Sequence, residues 1–134
     1  MEQNELETKK RKVLIIDDNQ DDSVMIKDTL ERIGTGIDFS LATTGEIGIE
    51  KVKDFQPHII IIDTKLPGID GFQTCRRIRE LEGLNAKIIV VTGQVDLVNP
   101  GKARLMGADE YCVKTTDCQA LIDVIKEFLD VKGI

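Results

Sequence analysis

The sequence predicts an α/β fold, a (βα)5 doubly wound parallel sheet of five strands. Two observations predict it. Short, nearly continuous apolar runs alternate with amphipathic segments along the 134 residues, and runs of that kind are strands covered on both faces. Four of these runs also end in a polar residue that a buried strand has no use for: Val13-Leu14-Ile15-Ile16 meets Asp17-Asp18, Ile59 to Ile62 meets Asp63, Ile88-Ile89-Val90-Val91 meets Thr92, and Tyr111-Cys112-Val113 meets Lys114. Parallel strands bring all four ends to one rim.

The elements follow in order. The first strand covers 13–17. The spacing predicts a helix from Gln20 to Ile33, with Ile26, Leu30 and Ile33 on one stripe and Gly34 and Gly36 as its stop. Residues 37–42 alternate apolar and polar, as an edge strand does. Thr44 caps a helix reaching Asp54, with Ile49 and Val52 inward. Gly48 inside it costs about 1 kcal/mol relative to Ala, which close packing would explain. Pro57 precedes the third strand, 58–62. The loop Thr64-Lys65-Leu66-Pro67-Gly68-Ile69 leads to a helix from Gly71 to Leu81. The fourth strand is 87–91. Asn99 as cap and Pro100 at the first helical position open a short fourth helix ending near Met106, stopped by Gly107. The fifth strand is 109–113. The last helix, 117–131, has Asp117 near its start and Leu121, Ile122, Ile125, Phe128 and Leu129 along one face. Right-handed crossovers wind such a sheet on both sides. Its ligand sites lie beyond the carboxyl ends of the strands, where the polar residues collect.

Composition narrows the function. The chain is 41% hydrophobic and 31% charged, with a formal net charge of −6, the composition of an ordinary soluble domain, and that net charge argues against broad nucleic-acid binding, which needs a basic face to neutralise phosphates. We therefore expect no direct nucleic-acid binding. No apolar run is long enough for a membrane span, and residues 1–11 read as a mobile charged tail with no secretory h-region. The expected compartment is the cytoplasm. Three cysteines, Cys75, Cys112 and Cys118, form no Cys-x-x-Cys or His/Cys cluster, so disulfides and zinc are not expected. Cys112 reads as a core residue, and Cys75 and Cys118 fall in helical segments.

The rim residues form a chemical set. Two adjacent carboxylates, Asp17 and Asp18, repel one another unless a cation sits beside them, and a hard divalent cation takes oxygen ligands. Read alone, they are equally a solvated turn with Asp21 and Asp22. Asp63 follows four isoleucines directly, and a carboxylate can form an aspartyl-phosphate; Pro67-Gly68 also makes a plain turn acid possible. Thr92 singly is a helix cap and Lys114 singly a strand-end lysine. Together they offer a hydroxyl and an ammonium to the oxygens of a phosphoryl group, where catalysis is mostly positioning and neutralisation.

With these motifs in view, the chain resembles the receiver domain of response regulators. The matching stretches are Leu14-Ile15-Ile16-Asp17-Asp18, Asp63 with Leu66-Pro67-Gly68-Ile69-Asp70-Gly71, Val91-Thr92-Gly93, and Gly107-Ala108-Asp109-Glu110-Tyr111-Cys112-Val113-Lys114. The resemblance covers about 12–131, with a receiver unit at 12–132. It implies a flavodoxin-like sheet with strand order 2-1-3-4-5. It also implies roles. Asp63 accepts a phosphoryl group from the phosphohistidine of a sensor histidine kinase or a histidine phosphotransfer protein. Asp18 ligates Mg²⁺ directly and Asp17 directly or through water, with Asp63 and the Lys65 backbone carbonyl as further ligands. Thr92 bonds a phosphoryl oxygen. Lys114 pairs with Asp63 and then with its phosphate. Tyr111 is the switch aromatic that turns inward. Gly93 leaves room for the phosphoryl group. The implied protein is a signalling phosphoacceptor rather than an enzyme, a monomer or weak homodimer, with a downstream protein target on the face of the fourth helix, fifth strand and fifth helix.

The chain departs from the family pattern in three places. Thr115 stands where proline usually follows the lysine, so the Lys114–Thr115 bond is either trans or a supported cis bond costing about 2.5–4 kcal/mol. Lys65, two residues after Asp63, is placed to screen an aspartyl-phosphate from water. Pro100-Gly101 shortens the fourth helix. His58, at the far end of the third strand, is structural and not the phosphodonor. With Met1 at the start and the chain ending just after the last helix, a stand-alone receiver is expected over an excised domain.

The rivals fail on residues. A haloacid-dehalogenase-like phosphatase needs an aspartate where Lys65 stands. A flavodoxin-like carrier needs a hydroxyl- and glycine-rich loop where Asp17 to Asp22 stand, and a dinucleotide fold needs Gly-x-Gly-x-x-Gly there. The remaining alternative is a pseudo-receiver scaffold that is not phosphorylated.

Overall fold

The computed structural model describes residues 11–33, 36–81, 83–93, 100–115 and 117–129. Strands and helices alternate as β1 (Arg11–Ile16), α1 (Gln20–Ile33), β2 (Ile37–Ala42), α2 (Gly45–Phe55), β3 (Ile59–Asp63), α3 (Gly71–Arg79), β4 (Lys87–Thr92), α4 (Pro100–Leu105), β5 (Glu110–Val113) and α5 (Gln119–Leu129). All ladders are parallel, in the order β2-β1-β3-β4-β5, the order the resemblance implies.

Side chains alternate across a strand, and the apolar residues obey that period. Val13, Ile15, Ile59, Ile61, Ile89, Val91 and Cys112 pack with Ile26 and Leu30 of α1 and with Leu121, Ile122, Ile125 and Leu129 of α5. Leu14, Ile16, Ile60, Ile62, Ile88 and Val90 pack with Val52 of α2, Phe72, Cys75 and Ile78 of α3, and Ala103 of α4. Two helices thus cover one face and three the other. Fully burying a Leu, Ile or Val side chain is worth about 1.5–3 kcal/mol, so this double cover is the main support of the rim.

Local signals set the boundaries. The Thr44 hydroxyl accepts the Ile47 N–H at 3.1 Å, capping α2 as expected. Asp70, not foreseen as a cap, accepts the Gln73 N–H at 2.8 Å and starts α3. A Cβ on Gly48 would lie 2.3 Å from Ile16 Cδ1, so close contact with β1 explains a glycine inside α2. A Cβ on Gly71 would lie 2.1 Å from the Asp63 carbonyl oxygen, which is why the Asp63 turn closes on glycine.

Several boundaries differ from expectation. Strand pairing begins at Arg11, opposite Ile37. Asp63 and Thr92 are the last residues of their strands rather than the first of loops. The last helix starts at Gln119, not Asp117: the Asp117 side chain accepts the Gln119 N–H at 3.1 Å across the turn that leads in, and Cys118 is a buried residue with φ of 53° ahead of the helix rather than within it. Residues 1–10, Gly34, the 94–98 loop, Asn99 and 130–131 lie outside the described residues, as does the side chain of Ile33.

Candidate functional site

Register brings the polar ends together. Ile16 pairs with Ile62, so Asp17 follows beside Asp63. Asp63 pairs with Val91, and Thr92 with Val113, so Lys114 follows directly after Thr92's partner. The Lys114 N–H donates to the Thr92 carbonyl at 2.7 Å.

Asp17, Asp18 and Asp63 each bring one carboxylate oxygen within 4.8 Å of the others. Asp17 and Asp63 are buried and Asp18 is exposed, so the cluster opens to solvent on one side. The Asp17 carboxylate is fixed at both oxygens: Oδ1 accepts the Asn19 N–H at 2.9 Å and Oδ2 accepts from Lys114 Nζ at 2.8 Å. Lys114 Nζ also donates to Asp22 Oδ2 at 2.8 Å and lies 3.7 Å from Asp63 Oδ1. No cis peptide bond occurs among the described residues. The Lys114–Thr115 bond is therefore trans, and the ammonium still reaches the acids.

Charge is unbalanced here. Burial pushes the Asp63 carboxyl up to about 7, with the Asp17 carboxylate adding to the rise and Lys114 opposing it. Burial also raises Asp17, against the Lys114 and Asn19 hydrogen bonds. Burial works against the Lys114 ammonium, but its hydrogen bonds to Asp17 and Asp22 outweigh that and hold its pKa above the usual range. Four carboxylates against one ammonium leave a clear excess of negative charge. An oxygen-only donor set of this kind suits Mg²⁺, and receiver domains generally bind Mg²⁺ at such an acidic pocket.

Thr92 is fully buried, and the buried Thr64 hydroxyl donates to its hydroxyl at 3.1 Å. Gly93 is half-buried beside it, and Lys65 is exposed just past Asp63. Tyr111 is half-buried on β5, opposite Val90, and packs on the α2–α4 face. His58 stands at the other end of the sheet, where its Nδ1 accepts the Lys12 N–H at 2.9 Å. The structure therefore gathers Asp17, Asp18, Asp63, Thr92 and Lys114 at one rim, with Lys65 at its mouth and Tyr111 along β5.

Sequence reasoning missed two of the partners. In sequence Asp22 reads as part of a solvated turn with Asp21, and nothing in the linear pattern marks it as a partner of Lys114. Thr64 carries one usable signal: it shares strand parity with Thr92, so the pleat turns both hydroxyls the same way.

The response regulator receiver domain family matches residues 13–126. The transcriptional regulatory protein AfsQ1 of Streptomyces coelicolor is 35% identical over 109 residues, covering 81% of this chain and 47% of AfsQ1. Protein PilG of Pseudomonas aeruginosa is 29% identical over 116 residues, covering 86% of this chain and 84% of PilG. A putative response regulator from Chloroflexus aurantiacus superposes with a TM-score of 0.80 at 29% identity, covering 91% of this chain and 99% of that one. The chain belongs to the response regulator receiver family of two-component signalling. Receiver domains are signalling modules rather than enzymes. The chain spans about half the length of AfsQ1 but most of PilG. Among the described residues no helix is long and apolar enough to cross a membrane.

Proposed function

We propose that Asp63 is a phosphoacceptor. One observation carries this: the Asp17, Asp18 and Asp63 carboxylates converge at the rim that also holds Thr92 and the Lys114 ammonium, 3.7 Å from Asp63. A carboxylate oxygen of Asp63 attacks the phosphorus of a phosphohistidine on a sensor histidine kinase or histidine phosphotransfer protein. The new bond is P–O, the P–N bond breaks, and the departing imidazole takes a proton from water. Asp17, Asp18, Asp63 and the Lys65 carbonyl would hold Mg²⁺, which when bound supplies positive charge to the phosphoryl oxygens. Thr92 and Lys114 bond the remaining oxygens. With a formal charge of −6, direct output goes to a protein rather than to nucleic acid, in the cytoplasm. The receiver unit is 12–132. The pseudo-receiver alternative is not favoured, since every chemical residue is present.

The modification carries enough energy to switch a surface only if several groups respond. A phosphoryl group adds about −1.5 to −2 charge. Inverting a 1:99 equilibrium takes roughly 5.5 kcal/mol, and one hydrogen bond to a charged group gives about 1.5–3. Thr92 and Lys114 must therefore act together, drawing α4, β5 and Tyr111 with them. Amide exchange with and without beryllium fluoride and Mg²⁺ tests this. Protection should change across α4 and β5, and an unchanged pattern there would sink the switch.

Lys65, exposed beside Asp63, screens the aspartyl-phosphate from water. Lys65→Ala should shorten its lifetime several-fold in a dephosphorylation time course. An unaltered lifetime removes that role.

A further inference from the structure

The Lys114 ammonium sits closer to two other carboxylates than to the proposed nucleophile. It lies 2.8 Å from Asp17 and 2.8 Å from Asp22, against 3.7 Å from Asp63. Asp17 is shared by the acid cluster, but Asp22 is outside it. Asp22 belongs to the first turn of α1, where its N–H donates to Asn19 Oδ1 at 3.1 Å; the Asn19 N–H in turn donates to Asp17 Oδ1 at 2.9 Å. Asp17, Asn19 and Asp22 are thus tied into one unit that meets the lysine from the α1 side. Strand parity turns Lys114 toward that side, since Cys112, two residues earlier, packs with α1 and α5 residues.

We propose that Asp22 is a positioning residue that holds Lys114 away from Asp63 until a phosphoryl group arrives, a proposal that rests on Asp63 being the phosphoacceptor. A phosphoryl group on Asp63 draws the ammonium across, and the 2.8 Å bond to Asp22 is the one that can be released, because Asp22 has no place in the metal cluster. Asp22 therefore biases the empty site in two opposite ways. It holds Lys114 back from Asp63, 3.7 Å away, and shares an ammonium that would otherwise serve Asp17 and Asp63 alone, which leaves the acid cluster more available to a cation. It also competes with the phosphoryl group for the same ammonium. Removing its charge should weaken Mg²⁺ binding and strengthen binding of a phosphoryl mimic. Loss of folded structure would weaken both.

The test measures Mg²⁺ affinity alone, and beryllium fluoride affinity at saturating Mg²⁺, in the wild-type protein, Asp22→Asn and Asp21→Asn. Asp22→Asn keeps the side chain's shape. Asp21→Asn removes an equal charge one residue away on an exposed position. In Asp22→Asn, Mg²⁺ affinity should fall and beryllium fluoride affinity rise, each by about three- to tenfold, in the lower part of the range for coupled neighbouring side chains. Asp21→Asn should change neither. In a Lys114→Met background, Asp22→Asn should no longer affect beryllium fluoride. The proposal is overturned if both affinities fall together, if Asp21→Asn has the same effect as Asp22→Asn, or if the effect persists without the lysine. A wild-type protein that binds no beryllium fluoride contradicts the phosphoacceptor reading itself, and the role of Asp22 falls with it.

Discussion

Lys114→Met should destabilise the metal-free protein at pH 8 by about 3 kcal/mol, the low end for breaking a buried ion pair. The ammonium is 19% exposed and touches Asp17, which is 4% exposed, so solvent cannot replace what it supplies. The loss depends on pH, and its sign follows from the acids. Their folded pKa values are already raised, and removing the cation raises them further. Between the unfolded value near 4 and the raised folded values, the folded state holds more protons than the unfolded state, so stability falls as pH rises. The deficit relative to wild type should be large at pH 8 and shrink toward pH 4. The lysine contributes nothing to that slope, because its own pKa is raised and its charge is complete throughout the window. Urea unfolding at pH 5 and pH 8 checks this, and an equal loss at both would contradict it.

Asp63→Asn should do the opposite and stabilise the metal-free fold. The Asp63 carboxyl is raised from 3.8 to about 7. At 1.36 kcal/mol per unit, that rise of roughly three units sets an upper bound near 4 kcal/mol, and an amide with its own hydrogen-bonding needs returns part of it. A gain of about 2 kcal/mol at pH 8 is the expected result. The burden is absent below the unfolded pKa, builds between about pH 4 and 7, and is complete above 7, so the gain should vanish near pH 4. Mg²⁺ should narrow the difference, since a cation that binds only the folded wild-type site stabilises it by mass action. A variant less stable than wild type at pH 8, or a gain that ignores pH, would contradict this electrostatic account.

Both results turn on how the rim is assembled, and much of that was legible in the chain. The period of the apolar runs fixes which residues are strands, and parallel pairing brings Asp17, Asp63, Thr92 and Lys114 to one edge without further information. Gly48 signalled its contact with Ile16 by being a glycine inside a helix. What a linear pattern does not carry is which ends meet across the sheet. Asp22 looks like any acid at a helix start, and only the reach of the Lys114 side chain to the first turn of α1 makes the two partners. Thr64 looks like a loop residue until β3 is seen to run through Asp63, which turns its hydroxyl toward Thr92. The start of α5 is not legible because Asp117 bonds the Gln119 N–H across a buried Cys118 with positive φ, a conformation that no cysteine announces in sequence.

The most direct test of the phosphoacceptor reading is the intact mass of the protein after incubation with acetyl phosphate and Mg²⁺. The wild-type chain should gain one phosphoryl group, Asp63→Asn should gain none, and a chelator should prevent the gain in wild type. A folded wild-type protein that gains nothing, or a gain that survives Asp63→Asn, would contradict it.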